Sequence, residues 1–192
     1  MPSLAIVYFS SQGHTHEVAE AVATGARAVE GTTATLVRLL DTEIQNGRWK
    51  NDVSVAVLNA ADAIVFGTPT YMGGYSAQIK CFIDACSGIW MKQGWKDKIA
   101  AGFTHSQGLS GDKLNTLNGL FINAMQHGMV WVGNAILPEG DQPEMINRIG
   151  SYTGLMAQSG YGQASIGDGD KKTAGMFGQR VAGTTARWLK GK

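Results

Sequence analysis

Strand-length apolar runs alternate with helical stripes from one end of this chain to the other, and few folds accept that order. Leu4 to Phe9 read LAIVYF, a continuous apolar run suited to a strand covered on both faces. From His16 onward Val18, Val22, Ala26 and Val29 recur at helical spacing. Further strands are predicted in TTATLVRLL (Thr32 to Leu40), at Ala63 to Phe66, at Ile99 to Thr104 and in GMVWVG. Further helices are predicted in SAQIKCFIDAC, where Ile79, Phe82, Ile83 and Cys86 share a face, and over Leu114 to Met125. A closing helix presents Ala174, Phe177, Val181, Thr185 and Trp188 on one face. The alternation predicts an α/β fold: a parallel sheet with helices on both faces and right-handed connections.

Sheets of this kind bind ligands outside the carboxyl ends of their strands. The segments leaving those ends are therefore informative. The first strand leads into SSQGHT (Ser10 to Thr15), the third into GTPTYMGGYS (Gly67 to Ser76) and the fourth into THSQGLSGD (Thr104 to Asp112). After the fifth comes a stretch of about forty residues without strong periodicity, and a loop that long is more often functional than not. SSQGHT has two readings. Ser and Thr are ordinary helix caps. Equally, three hydroxyls, a glycine and a helix start converge as an anion site does, with the helix dipole adding positive potential. The gathering of polar, Gly-rich loops at one end of the sheet favours binding.

Composition narrows the function classes. The 192 residues are 44% hydrophobic and 16% charged, which suits one globular domain spanning residues 1–192. A net charge of +1 without long charge runs gives no electrostatic reason for nucleic acid or an anionic membrane as partner. Cys81 and Cys86 are spaced wrongly for a disulfide within one helix, and metal-ligand spacings are missing. His14 and His16 at a helix start lack a visible third ligand, so no metal site is expected. No signal peptide or membrane span is read, so a cytoplasmic location is expected. The 26 glycines follow no fixed period and gather in loops, where backbone can approach a ligand closely.

GTPTYMGGYSAQIKCFID is the most specific stretch. With SSQGHT, with GIWMKQGW before the fourth strand and with HGM opening the fifth, it resembles the flavodoxin-like NAD(P)H:quinone oxidoreductases of the tryptophan-repressor-binding-protein (WrbA) type. The resemblance spans nearly the whole chain. It implies a doubly wound five-stranded parallel sheet of order 2-1-3-4-5 and bound FMN, with NADH or NADPH as co-substrate and a quinone as acceptor. It implies that Ser10, Ser11, Gln12, Gly13, His14 and Thr15 cradle the FMN phosphate. Pro69, Thr70, Tyr71, Met72 and Gly73 would line the isoalloxazine and ribityl chain. Thr104, His105, Ser106, Gln107, Gly108 and Ser110 would meet the ring's other edge. His127 would reach the pyrimidine end, and Trp90 would wall the pocket where nicotinamide and quinone stack. Tyr71 stands where the family often has Arg, and Gln126 precedes His127 where it often has a second His.

The resemblance also implies a homo-oligomer, dimer or tetramer, with sites finished by neighbouring chains. Trp90, Met91, Trp95, Tyr71, Met72 and Tyr75 are expected to cluster at the ligand end, as an interface or as flavin cover, although aromatic side chains often serve only the core. Trp95 is read as structural. GYGQAS (Gly160 to Ser165) does not follow a strand and is read as plain loop, not a dinucleotide fingerprint. Catalytic side chains are not assigned, since a flavin carries the difficult chemistry itself. The competing functions are a flavodoxin-type electron carrier, usually strongly acidic, and an NAD(P)H-dependent FMN reductase. A flavin-free signalling module is disfavoured because the first strand ends YFSS, without carboxylates.

Overall fold

The computed structural model describes residues 1–191. Its first half runs β1 (Ser3–Tyr8), α1 (His14–Arg27), β2 (Thr33–Arg38), a small hairpin of β3 (Ile44–Gln45) and β4 (Arg48–Trp49), then α2 (Asp52–Ala60) and β5 (Ala63–Tyr71). The second half runs β6 (Gly74–Tyr75), α3 (Ala77–Ala85), α4 (Ser87–Met91), β7 (Ile99–Ser106), α5 (Lys113–Gln126), β8 (Val130–Trp131), β9 (Leu155–Gln158) and α6 (Asp168–Lys190). The main sheet has the order β2-β1-β5-β7-β8, all parallel, with β9 also pairing β7. Counting its five positions in chain order gives 2-1-3-4-5, as expected.

Strand alternation divides the interior into two cores. Leu4, Ile6, Tyr8, Val65, Ala101 and Phe103 face α1 and α6. Ala5, Val7, Ile64, Phe66 and Ala100 face the other way, onto Leu58 of α2, Ile79 and Phe82 of α3, and Leu117 and Leu120 of α5. The continuous apolar runs of β1 and β5 reflect burial on both faces. Where α1 crosses α6, glycine is required: a Cβ on Gly25 would stand 1.8 Å from the Gly175 carbonyl oxygen, and one on Gly178 would stand 2.0 Å from that of Val22. Some of the chain's many glycines therefore pack helices and do not serve loops.

The fifth position differs from the sequence reading. It is shared by two short strands, β8 opposite Ile99–Ala100 and β9 opposite Phe103–Ser106. The stretch read as an aperiodic loop is an excursion between them that returns to the sheet. Its neck is closed by Asn134 N–H donating to Tyr152 O at 2.9 Å and by Trp131 Nε1–H donating to Thr153 O at 2.7 Å. Four residues, LMAQ, are too few for β9 to show a period. Cys81 and Cys86 are free thiols, and burial pushes Cys86 up to about 12. Among the described residues no helix is long and apolar enough to cross a membrane.

Candidate flavin-binding site

The first wall of the site is the turn from β1 into α1. Gly13 sits at φ 98°, in the left-handed region that glycine tolerates, and its N–H donates to Ser10 Oγ at 3.1 Å. Ser10 is held in turn by Arg38, whose Nη2 donates to its carbonyl at 2.8 Å. No side chain caps α1, and the first intrahelical bond is Glu17 N–H to Gly13 O. The cap reading of SSQGHT therefore fails. The opening N–H groups of α1 stay available to an external acceptor, at the positive end of the helix dipole.

The second wall is a hairpin. β5 turns back into β6 through Met72 (φ 48°) and Gly73 (φ 77°), between the paired residues Tyr71 and Gly74. Two consecutive positive φ angles are the geometry of the tight hairpin turns that match strand twist. Asn115 Nδ2 donates to Gly73 O at 2.7 Å, which ties the turn to α5. Thr70 Oγ1 lies 2.8 Å from both Thr104 Oγ1 and Thr116 Oγ1, a buried hydroxyl cluster under the floor. The Tyr71 hydroxyl reaches across to Ser11 Oγ, so the first two walls touch at the mouth.

The third wall is the loop after β7. His105 is 5% exposed and stacks on His14, ring centroids 5.0 Å apart. Burial first, then the charges of His14 and Lys113, push His105 down to about 3, so it is neutral at ordinary pH. Its Nε2 is buried without a partner. His14 Nε2–H donates to Gln163 O at 2.9 Å, which draws the GYGQAS loop onto the site.

These walls enclose a cavity of about 660 Å³ at the carboxyl edge of the sheet, a size ordinary for a small-molecule site. Its lining includes Ser10, Ser11, Gln12, His14, Thr15, Pro69, Thr70, Tyr71, Met72, His105, Ser106, Gln107 and Gly108, and no carboxylate. Gly13 and Gly73 shape the loops from behind, and Thr104 lies beneath. Ser110 turns instead into a neighbouring cavity with Leu109 and Asp112. Gly111 and Tyr161 line the site although the sequence did not mark them. Uncapped helix N–H groups, clustered hydroxyls, an orphaned His nitrogen and no carboxylate suit a phosphate monoester joined to a flat polar ring. The residues present fit FMN.

Two expected residues lie elsewhere. Trp90 and His127 share a smaller cavity with Met91, Gln93 and Gln126. His127 closes α5 and packs against Trp95 with the rings tilted 37° and centroids 4.6 Å apart, while the adjoining backbone pairs with the start of β7 through Asp97 N–H to Gly128 O. That is the amino edge of the sheet. β7 rises about 3.3 Å per residue, so its two ends lie roughly 23 Å apart. Within one chain, then, neither residue reaches the main cavity. The expected aromatic cluster also divides. Tyr71 and Met72 stand at the cavity mouth and Tyr75 packs on the core. Trp95 is buried, donating Nε1–H to Asn59 Oδ1 at 2.8 Å as befits a structural residue, and Trp90 and Met91 are exposed at the far edge.

Comparison with known proteins agrees with this geometry. Residues 4–142 match the family of NADPH-dependent FMN reductases. Flavodoxin FldP of Pseudomonas aeruginosa is 37% identical over 189 residues, covering 95% of this chain and 96% of that protein. An NAD(P)H dehydrogenase (quinone) of Geotalea uraniireducens is 35% identical over 199 residues, covering 95% and 97%. The crystal structure of a WrbA-like flavodoxin from Agrobacterium tumefaciens superposes with a TM-score of 0.77 at 43% identity, covering 97% of this chain and 99% of that one.

Proposed function

This chain belongs to the NADPH-dependent FMN reductase family, and from that premise we propose that it is an FMN-dependent NAD(P)H:quinone oxidoreductase. In the net reaction NAD(P)H, a proton and a quinone give NAD(P)⁺ and the quinol. FMN, when bound, supplies the reversible two-electron chemistry that the side chains lack. The observation that carries the reading is the uncapped amino end of α1, opening into a carboxylate-free cavity at the ligand edge of the sheet. In this assignment Ser10 to Thr15 hold the phosphate. Pro69 to Gly73 and Thr104 to Gly108 flank the ribityl chain and ring, and Ser110 supports the latter loop from its other side. Tyr71, hydrogen-bonded across the mouth to Ser11, screens the cavity from water.

Trp90 and His127 keep a role at the flavin only where a neighbouring copy presents its amino edge to the cavity. Their assignment is therefore tied to a homo-oligomer, dimer or tetramer, in which Trp90 walls the nicotinamide and quinone position. The whole chain, 1–192, is read as one flavin-binding domain. Two free thiols suit a reducing compartment such as the cytoplasm.

The Pseudomonas relative's name favours a second reading, an electron carrier of the flavodoxin type. Against it stands the net charge of +1, since carriers of that type are usually strongly acidic overall. Steady-state oxidation of NADH and NADPH with benzoquinone separates the two. The reductase turns over many times per flavin, with parallel initial-rate lines if both substrates use one place in turn. Reaction without turnover leaves the carrier, and apoprotein that binds no FMN overturns both readings.

A further inference from the structure

Lys113 is the one fully buried lysine among the described residues, and the phosphate and ring assignments make no use of it. It opens α5 directly under the loop after β7. Its ammonium donates to Ser106 Oγ at 2.8 Å, Gly108 O at 2.7 Å and Leu109 O at 2.8 Å, which occupies all three of its protons. None of these acceptors is a carboxylate. Asp170 acts on Lys113 through space, but its oxygens are taken by Arg148 Nε and Nη2 at 3.1 Å and by Gln158 N–H at 2.8 Å. With Arg148 and Asp170 neutralising each other, the Lys113 charge is left without a counter-ion.

The same bonds orient the loop. In a trans peptide the C=O and the following N–H point in opposite directions. The carbonyls of Gly108 and Leu109 turn inward to Lys113, so the N–H groups of Leu109 and Ser110 turn outward. Gln158 Nε2 holds the Gln107 carbonyl at 2.8 Å, which turns the Gly108 N–H the same way relative to its own partner. Among the described residues none of these three N–H groups finds an acceptor. Gly108 lines the main cavity and Leu109 and Ser110 the one beside it, so the loop is the wall between them.

We propose that Lys113 is a positioning residue for the flavin, fixing the Ser106–Gly108 wall of the cavity through its bonds to Ser106 and Gly108 and holding an uncompensated positive charge directly behind that wall, so that reduced FMN is favoured over oxidised. This rests on the FMN reading. Two-electron reduction leaves negative charge on the polar edge of a flavin, and a cation already fixed behind the wall stabilises that charge without reorganising. A purely structural staple would hold the loop but would not distinguish the two oxidation states.

The test is Lys113→Met, with FMN affinity of the apoprotein and the reduction potential of the bound flavin as readouts. The expected result is weaker binding in both states with an additional loss for reduced FMN of about tenfold, read as a potential about 30 mV lower for a two-electron couple. Equal losses, or a potential matching the unmodified protein, overturn the proposal while leaving the FMN reading intact. Unmodified apoprotein that binds no FMN removes the reading itself. If Lys113→Met does not fold, the unmodified holoprotein decides. Burial, opposed by Asp170 and reinforced by Arg148, brings Lys113 down to about 8, and the other titratable group facing it is the neutral His105. Because reduced FMN favours the ammonium, an extra proton is then taken up with the electron pair above that pH. The potential of bound FMN falls more steeply than that of free FMN between pH 8 and 10, and parallel lines there overturn the proposal.

Discussion

Removing the hydroxyls of Ser10 and Thr15 tests the phosphate assignment without disturbing the core. Thr15 lies in the first turn of α1, buried and facing the cavity, and Ser10 Oγ accepts the Gly13 N–H at 3.1 Å. Neither side chain holds two elements together, so Ser10→Ala with Thr15→Ala leaves the fold in place. A hydrogen bond to a charged group contributes about 1.5–3 kcal/mol. Two such bonds to a phosphate amount to about 3 kcal/mol or more, and 1.4 kcal/mol is a factor of ten. FMN affinity is therefore expected to fall at least about a hundredfold. The assay is quenching of flavin fluorescence on titration with apoprotein, run in parallel with riboflavin, which has the same ring and no phosphate. Riboflavin affinity should be unchanged. Equal losses for the two flavins would mean that the substitutions act on the cavity as a whole, and the phosphate assignment would be wrong.

Acid should destabilise the apoprotein through His105. Its folded value, about 3, lies below its ordinary 6.5, so between those limits the unfolded chain binds a proton that the folded chain does not. Its contribution is complete above pH 6.5 and is lost as pH falls toward 3, at up to about 1.4 kcal/mol per unit. Urea unfolding should show a flatter acid limb for His105→Asn than for the parent, and identical slopes would sink this account. Assembly is tested by dilution: if Trp90 and His127 complete a neighbour's site, activity per chain falls in step with dissociation seen by sedimentation. A fully active monomer would exclude both residues from the flavin.

The sequence shows some parts of this site plainly and hides others, and chain direction explains the difference. SSQGHT was legible because strand, hydroxyl-rich turn and helix are consecutive, so local chemistry alone defines the first wall. GTPTYMGGYS was legible for the same reason, its turn demanding left-handed backbone at Met72 and Gly73. Tyr161 and Gln163 were not, because it takes tertiary bonds from His14 and Glu17 to bring their loop back to α1, some 149 residues away in the chain. Lys113 looks like a surface residue in SGDKLNTL, since nothing local says that the preceding loop folds over its amine. β9 leaves no mark in the sequence because four residues cannot display a period.

Trp90 and His127, which the resemblance puts at the flavin, lie at the opposite edge of their own chain for a reason of chain geometry. α5 has 14 residues and is about 21 Å long. It begins beside the loop after β7 and must return the chain to the amino edge, where the next parallel strand starts. α3 and α4 make the same descent before β7. Any residue at the end of such a helix lies a full sheet's height from the ligand edge. HGM and GIWMKQGW can therefore match a flavin-site pattern in sequence and still be unable to touch the flavin of their own chain. The same fold rule that locates the cavity at one edge thus assigns Trp90 and His127 to the other, and only a second copy can reconcile the two.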